Sequence, residues 1–306
     1  MDKTDWLAER FEAHRGHLRR VAYRMLGSLS EADDAVQEAW LRVSRANADE
    51  IENLGGWLTT IVARVALNML RARNRRREAA PELHLPDPVI SAAGGPQPEE
   101  EALLADAVGL ALQVVLDTLT PAERLAFVLH DLFELPFEEI APMLGHTPAA
   151  ARQLASRARR RVKGAEVRTP DPDPQRQRAV VDAFFAAARG GDYEGLIAML
   201  DPDVVLRADW GQGRPLTVLR GATAVARQAR PVPGSAILPV LVNGAAGVVI
   251  TIQGRPFAIM GFSIAEGRVV EIDAISDPER VQGLAARFLP QRQRTLPSAP
   301  HSDSAE

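Results

Sequence analysis

The residues with the most distinctive chemistry form one short basic segment: Arg152, Gln153, Ser156, Arg157 and Arg160, preceded by Thr147. Arginine and glutamine carry paired hydrogen-bonding groups that match base edges in a major groove, and further cations match phosphates. Such side chains read DNA only from a helix that presents them in order. The stretch Phe137 to Lys163 supplies one. Ile140, Met143 and Leu144 recur at helical spacing, and Gly145 and His146 make a short turn. Thr147 then offers an oxygen to the free amides of the next helix, with Pro148 at its first position. Ala149, Ala150 and Ala151 continue that helix. The pattern is a helix-turn-helix; the plainer alternative is an ordinary helical hairpin with a solvated basic face. Pro142, inside the first helix, is expected to kink it.

A second basic run, RARNRRR at 71–77, holds five arginines, while acids gather at 31–38 and 99–101. The chain of 306 residues is nevertheless acidic, with net charge −4. Residues 1–168 carry 22 basic and 25 acidic side chains, and the remainder carry 14 and 15. Local stripes without bulk positive charge imply weak DNA binding alone and a large partner that itself holds DNA. Cysteine is absent and the six histidines are scattered, so no metal site is expected. No catalytic group and no cofactor is expected either. The opening MDKTDWLAER has no signal-peptide pattern, and the longest apolar stretch is too short for a membrane span, so the expected location is the cytoplasm.

Elements able to position these groups follow from periodicity. Trp6, Leu7 and Phe11 begin one helix, and Leu18 to Leu26 line a second, stopped by Gly27. Ser30 with Asp33 reads as the capping box of a third, and a long helix is expected from Trp57 to about Arg77 after the loop 53–56. This gives an all-α unit over 1–78, a Pro/Gly/Ala-rich linker over 79–98, and a second all-α unit over 99–164. The latter includes helices at 103–116 and 122–133. A linker at 165–175 leads to a unit at 176–290 whose period changes to that of strands, predicted at 204–208, 216–219, 237–242, 248–253, 257–265 and 269–274. That unit is α+β, and 291–306 reads as a disordered tail.

Three segments carry a family resemblance: EADDAVQEAWLRV (31–43), GWLTTIVARVALNMLRARNRRR (56–77) and LTPAERLAFVLHDLFELPFEEIAPMLGHTPAAARQLASRARRRV (119–162). In this order they resemble a bacterial RNA polymerase sigma factor of the extracytoplasmic-function class. The stretch 183–214 resembles a SnoaL-like cone-shaped domain, an extension that marks the SigJ-type subgroup. LHLPDP (83–88), ADWGQGR (208–214) and SDPERV (276–281) are similar to that subgroup's segments, with His84 where a tryptophan is usual and Trp210 in place of a small residue. The resemblance implies core RNA polymerase and promoter DNA as partners. Asp34, Gln37, Glu38, Trp40, Leu41 and Arg42 would dock on the polymerase. Trp57, Arg64, Asn68, Arg71, Arg75 and Arg76 would read the −10 element, and the helix-turn-helix the −35 element. His84, Leu85, Pro86, Asp87 and Pro88 would meet Asp209, Trp210, Gly211, Gly213, Arg214, Asp277 and Pro278 in an interdomain contact that regulates the sigma part in cis. The free protein is then a monomer, with room for a small-molecule ligand in the cone.

The rival reading is a helix-turn-helix regulator with a fused ligand-sensing or isomerase-like enzyme domain. Its candidate pocket residues are Asp192, Tyr193, Asp209, Trp210 and Asp273. Asp192 and Asp209 also read simply as a helix cap and a turn residue.

Overall fold

The computed structural model describes residues 3–45, 51, 53–77, 84–93, 110–164, 171–211, 213–230 and 232–286. Helix α1 (Lys3–Leu26) is continuous where the sequence predicts two helices. Gly16 at its centre has open space around it. A mid-helix glycine costs about 1 kcal/mol, which burial of Phe11 before it and Leu18, Val21 and Met25 after it outweighs. In α2 (Leu29–Val43) the cap is Ser28, not Ser30: its Oγ accepts from the Glu31 amide at 3.4 Å. Asp33 is drawn instead to Arg19, whose Nε donates at 2.6 Å. Helix α3 (Leu54–Arg77) starts earlier than predicted, because Asn53 Oδ1 accepts from the Gly56 amide at 2.9 Å and takes both glycines into the first turn.

The second helical segment comprises α4 (Leu110–Asp117), α5 (Pro121–Phe127), α6 (Phe137–Leu144) and α7 (Pro148–Gly164). The predicted helix 122–133 widens after Phe127 into a π turn over Val128–Leu132. Pro142 sits on the solvent side of α6, as does Glu138, whose carbonyl loses its helical donor and can turn to water. Residues 103–109, 165–170 and 291–306, predicted as helix, linker and tail, lie outside the described residues.

The two helical segments share one core. Leu18, Met25, Leu58 and Leu67 of α1 and α3 belong to the same buried cluster as Leu116, Leu125 and Ile140 of α4, α5 and α6. His17 meets Phe133 edge-on across this seam, with ring centroids 5.4 Å apart.

After α8 (Pro174–Gly190) and α9 (Tyr193–Met199) come β2 (Leu200–Asp209), β3 (Thr217–Arg220), α10 (Ala222–Gln228), β4 (Ser235–Val242), β5 (Ala245–Ile252), β6 (Arg255–Ala265), β7 (Arg268–Ile275) and α11 (Pro278–Ala286). All six predicted strands are present. A seventh, β1 (Ile90–Ala92), comes from the predicted linker 79–98 and pairs antiparallel with Val240–Val242. The order is β1-β4-β5-β6-β7-β2-β3, with β2 and β7 parallel. Period-two alternation splits the sheet's faces. Leu206, Ala208, Ile272 and Ala274 line a cavity on one face. The other carries a separate apolar cluster in which Leu85 of the linker joins Val240, Ile259, Ile275 and Val281. No helix among the described residues is long and apolar enough to cross a membrane.

Candidate nucleic-acid interface and interdomain clamp

Helix α7 buries Ala151, Ala155 and Ala158, which turns Arg152, Gln153, Arg157 and Arg160 outward, with Ser156 half-buried between. Small residues on the inner face let α7 lie close to its neighbours. Thr147 Oγ1 accepts from the Ala150 amide at 3.3 Å, and Gly145 ends α6 in the left-handed region at φ +71°. Arg152 stands over the Phe137 ring, 5.3 Å from its centre, so its guanidinium is held near the start of α7. Arg159 binds Asp131 at 2.5 Å and Arg161 binds Glu123 at 3.2 Å. These two cations tie α7 to its own domain. Arg152, Arg157, Arg160 and Lys163 have no carboxylate partner among the described residues and remain available to an anion.

On α3, Leu58, Val62, Ala66 and Leu70 point inward. Arg64, Asn68, Arg71 and Arg75, spaced four, three and four apart, form one exposed stripe that begins at half-buried Trp57. Arg73, in the middle of the basic run, turns the other way. Its Nη1 donates to the Leu26 carbonyl at 2.9 Å and to Glu31 at 3.2 Å, closing the C-terminal end of α1. The Arg76 side chain lies outside the described residues. On α2, Asp34, Gln37, Glu38, Leu41 and Arg42 are exposed together. Leu41 is 45% exposed, an uncovered apolar group among charges. Arg42 donates to Glu38 at 3.0 Å, and Trp40 turns half inward onto Phe11 with ring centroids 5.0 Å apart.

The interdomain residues converge on one arginine that the sequence reading did not single out. Arg280 of α11 donates to Asp87 at 2.6 Å, to the Leu85 carbonyl at 2.6 Å and to Asp209 at 2.7 Å. Asp209 is buried, so it is more than a turn residue. It also accepts from the Leu85 amide at 2.8 Å and the Gly211 amide at 3.0 Å, and contacts His84 Nδ1 at 3.2 Å. Burial alone would raise its carboxyl, but the Gly211 amide, His84, the Leu85 amide and Arg280 hold it below its ordinary value. Gly211, at φ +91°, cannot carry a side chain: a Cβ there would lie 2.0 Å from Asp277 Oδ2. His84 thus occupies the contact with a charge-assisted bond. Pro86 and Pro278 line the adjoining crevice; Gly213 and Arg214 make no bond to the 84–88 segment among the described residues. The same segment reaches the helical half. The Asp87 amide donates to the Gly27 carbonyl at 2.8 Å, and the hydroxyl of buried Tyr23 donates to the Asp87 carbonyl at 2.7 Å. Farther along, Val89 and Asn243 exchange two hydrogen bonds at 2.7 and 2.8 Å.

Helices α8 and α10 enclose, with the sheet, a cavity of about 540 Å³. Of the five candidate pocket residues only Trp210 lines it. Asp192 caps α9, accepting from the Gly195 amide at 2.8 Å, and the Tyr193 hydroxyl donates to the Thr223 carbonyl at 3.2 Å. Asp273, one residue out of phase with Ile272, points to the opposite face, where Arg207 binds it at 2.7 Å. No carboxylate and no histidine lines the cavity among the described residues, so the base an isomerase or hydrolase needs is not among them.

A model of Sigma-70 region 2 matches residues 10–76, and one of Sigma-70 region 4 matches residues 109–162. The chain is 38% identical to the ECF RNA polymerase sigma factor SigJ of Mycobacterium tuberculosis, over 89% of this chain and 92% of that protein. It is 32% identical to a probable ECF RNA polymerase sigma factor, SigI, of the same species, over 94% and 99%. The crystal structure of the M. tuberculosis SigJ superposes with a TM-score of 0.70 at 33% identity, covering 90% of this chain and 98% of that one.

Proposed function

The chain belongs to the extracytoplasmic-function sigma factors of RNA polymerase, and from that premise we propose that its C-terminal cone regulates it in cis by holding the two helical regions closed. Sigma factors bind core RNA polymerase and promoter DNA. In this chain the exposed stripe of α3, with Trp57 at its head, takes the −10 element. Arg152, Gln153, Ser156, Arg157 and Arg160 of α7 take the −35 element, and the outer face of α2 meets the polymerase. The units are read as 1–78, 99–164 and 176–290, joined by the two linkers.

The observation that carries the regulatory reading is the double attachment of residues 84–92. Their backbone is bonded to Gly27 and Tyr23 of the first helical region, and their side chains and β1 to Arg280, Asp209 and β4 of the cone. Promoter elements centred near −10 and −35 stand about 25 base pairs apart, on the order of 85 Å at 3.4 Å per base pair. Helices packed through a shared core lie only about 8–10 Å apart. The closed arrangement therefore suits storage, and reading both elements requires the seam between the helical regions to part. Closure is internal to one chain, which fits a free monomer.

Arg280→Ala tests this. Removing one partner of a desolvated charge pair costs about 3 kcal/mol. The variant is expected to bind core polymerase more tightly, and to give more run-off transcript, than the parent protein. Equal affinity and equal transcript for both would refute regulation in cis while leaving the sigma activity in place.

A further inference from the structure

The cavity of the cone has a chemical character narrower than general emptiness. Its floor is formed by side chains such as Phe184, Phe185, Ile250 and Met260. Its rim carries Trp210, Val232 and Phe257, at 38, 38 and 40% exposure. These are three of the seven large apolar side chains that stand exposed among the described residues, so the concentration at one mouth is not scatter. Two cations, Arg189 and Arg230, complete the rim, and neither has a carboxylate partner among the described residues. The volume lies within the range of small-molecule sites. An apolar chamber with a purely cationic mouth fits an apolar body bearing one acidic group, and repels a cation.

We propose that the cone binds a lipophilic carboxylic acid, and that Trp210 transmits its presence to the clamp. Trp210 is the one residue common to the described linings of this cavity and of the crevice between the cone and the helical half. Its chain neighbours, Asp209 and Gly211, are both clamp residues, and its indole Nε1 is tethered to Thr217 at 3.2 Å. A second connection runs beside it. Ser276 lines the cavity, its amide donates to the Asp209 carbonyl at 2.7 Å, and the next residue, Asp277, accepts from the Arg280 amide at 3.0 Å. A ligand that presses on Trp210 and Ser276 acts one residue from each half of the clamp. It shifts the closed arrangement only by binding one arrangement better than the other. This coupling rests on the proposed regulation in cis; the ligand class does not.

The test titrates the full-length protein with pyrenebutyric acid and its neutral analogue pyrenebutanol, reading energy transfer from tryptophan. The acid is expected to bind about tenfold more tightly than the alcohol. The double variant Arg189→Ala/Arg230→Ala should bind both compounds at the affinity of the alcohol. Binding of neither, or equal binding of both to the parent protein, overturns the ligand class. Polymerase affinity is then measured with and without saturating acid. A change of about threefold in the parent protein and none in Trp210→Ala, with the acid still bound as read by the fluorescence anisotropy of the pyrene, supports the coupling. No change in the parent overturns the coupling. Arg280→Ala, measured in the same assay without any probe, reports separately whether the clamp regulates at all.

Discussion

The two contacts that close this molecule are built from different materials. Between the helical regions the seam is a continuous apolar core, with Leu18, Met25 and Leu67 against Leu116, Leu125 and Ile140. Between the helical half and the cone, the centre is a cluster of charges around Arg280, flanked by a three-residue strand and the smaller apolar cluster around Leu85. Apolar burial is undirected and is not screened by ions, whereas charged hydrogen bonds fix one geometry and respond to protonation. Affinity between the helical regions and the register of the whole are thus held by separate devices.

The largest expected effect lies in the apolar seam, at its polar stitch. Arg124 is buried, binds Asp117, and donates from Nε to the Arg24 carbonyl at 3.1 Å. Arg124→Ala leaves the Asp117 carboxylate with only the more distant Arg73, at 3.8 Å, and should cost about 3 kcal/mol in chemical denaturation. A loss below about 1 kcal/mol would mean that the seam is held by apolar burial alone.

Next comes the clamp's response to acid. The Asp209 carboxyl titrates below its ordinary value of 3.8 when folded, so its contribution is present above that value and is lost as pH falls through the depressed folded one. Asp209→Asn should destabilise the protein by about 1–3 kcal/mol at neutral pH and flatten the acid limb of its stability profile. A variant with an unchanged acid limb would move that sensitivity to another carboxylate.

Last, and confined to DNA, is the effect of the reading residues. Arg152 belongs to neither contact, so Arg152→Ala should change stability by no more than about 1 kcal/mol, the worth of its contact with Phe137. It should reduce discrimination between −35 sequences by about 1–3 kcal/mol in the reconstituted holoenzyme. Arg75→Ala should weaken binding to every promoter alike and lower the salt slope by about one unit. If both variants behave like Arg75→Ala, α7 touches only phosphate.

Periodic features were legible in the sequence and pairings across distance were not. The capped start of α7, the helix that its alanines continue and the six strands of the cone follow from local spacing and turn chemistry, and all are present. Arg73 reads as one more cation of the 71–77 run because nothing nearby announces that it closes the end of α1, more than forty residues earlier. Residues 90–92 read as linker because a three-residue strand has too few alternations to register, and its partner lies some 150 residues away. Arg280 stood inside a recognised segment, SDPERV, yet its importance depends on Asp87, 193 positions before it. Such contacts leave no trace in spacing, only in which charges end up buried together.

The borrowed strand has a consequence for any opened state. Lifting β1 from β4 takes away the partners of those backbone groups of Val240–Val242 that face β1, while the groups that face β5 stay bonded, and extends the open edge of SAILPVLV to its C-terminal end. Such an edge is a template for adding another chain's backbone. Pro239, which offers no N–H, interrupts it in the middle and acts as a built-in gatekeeper against stacking with a second copy. Under the proposed regulation in cis, re-docking 90–92 would do more than close the molecule: it would cover an edge able to pair with another chain.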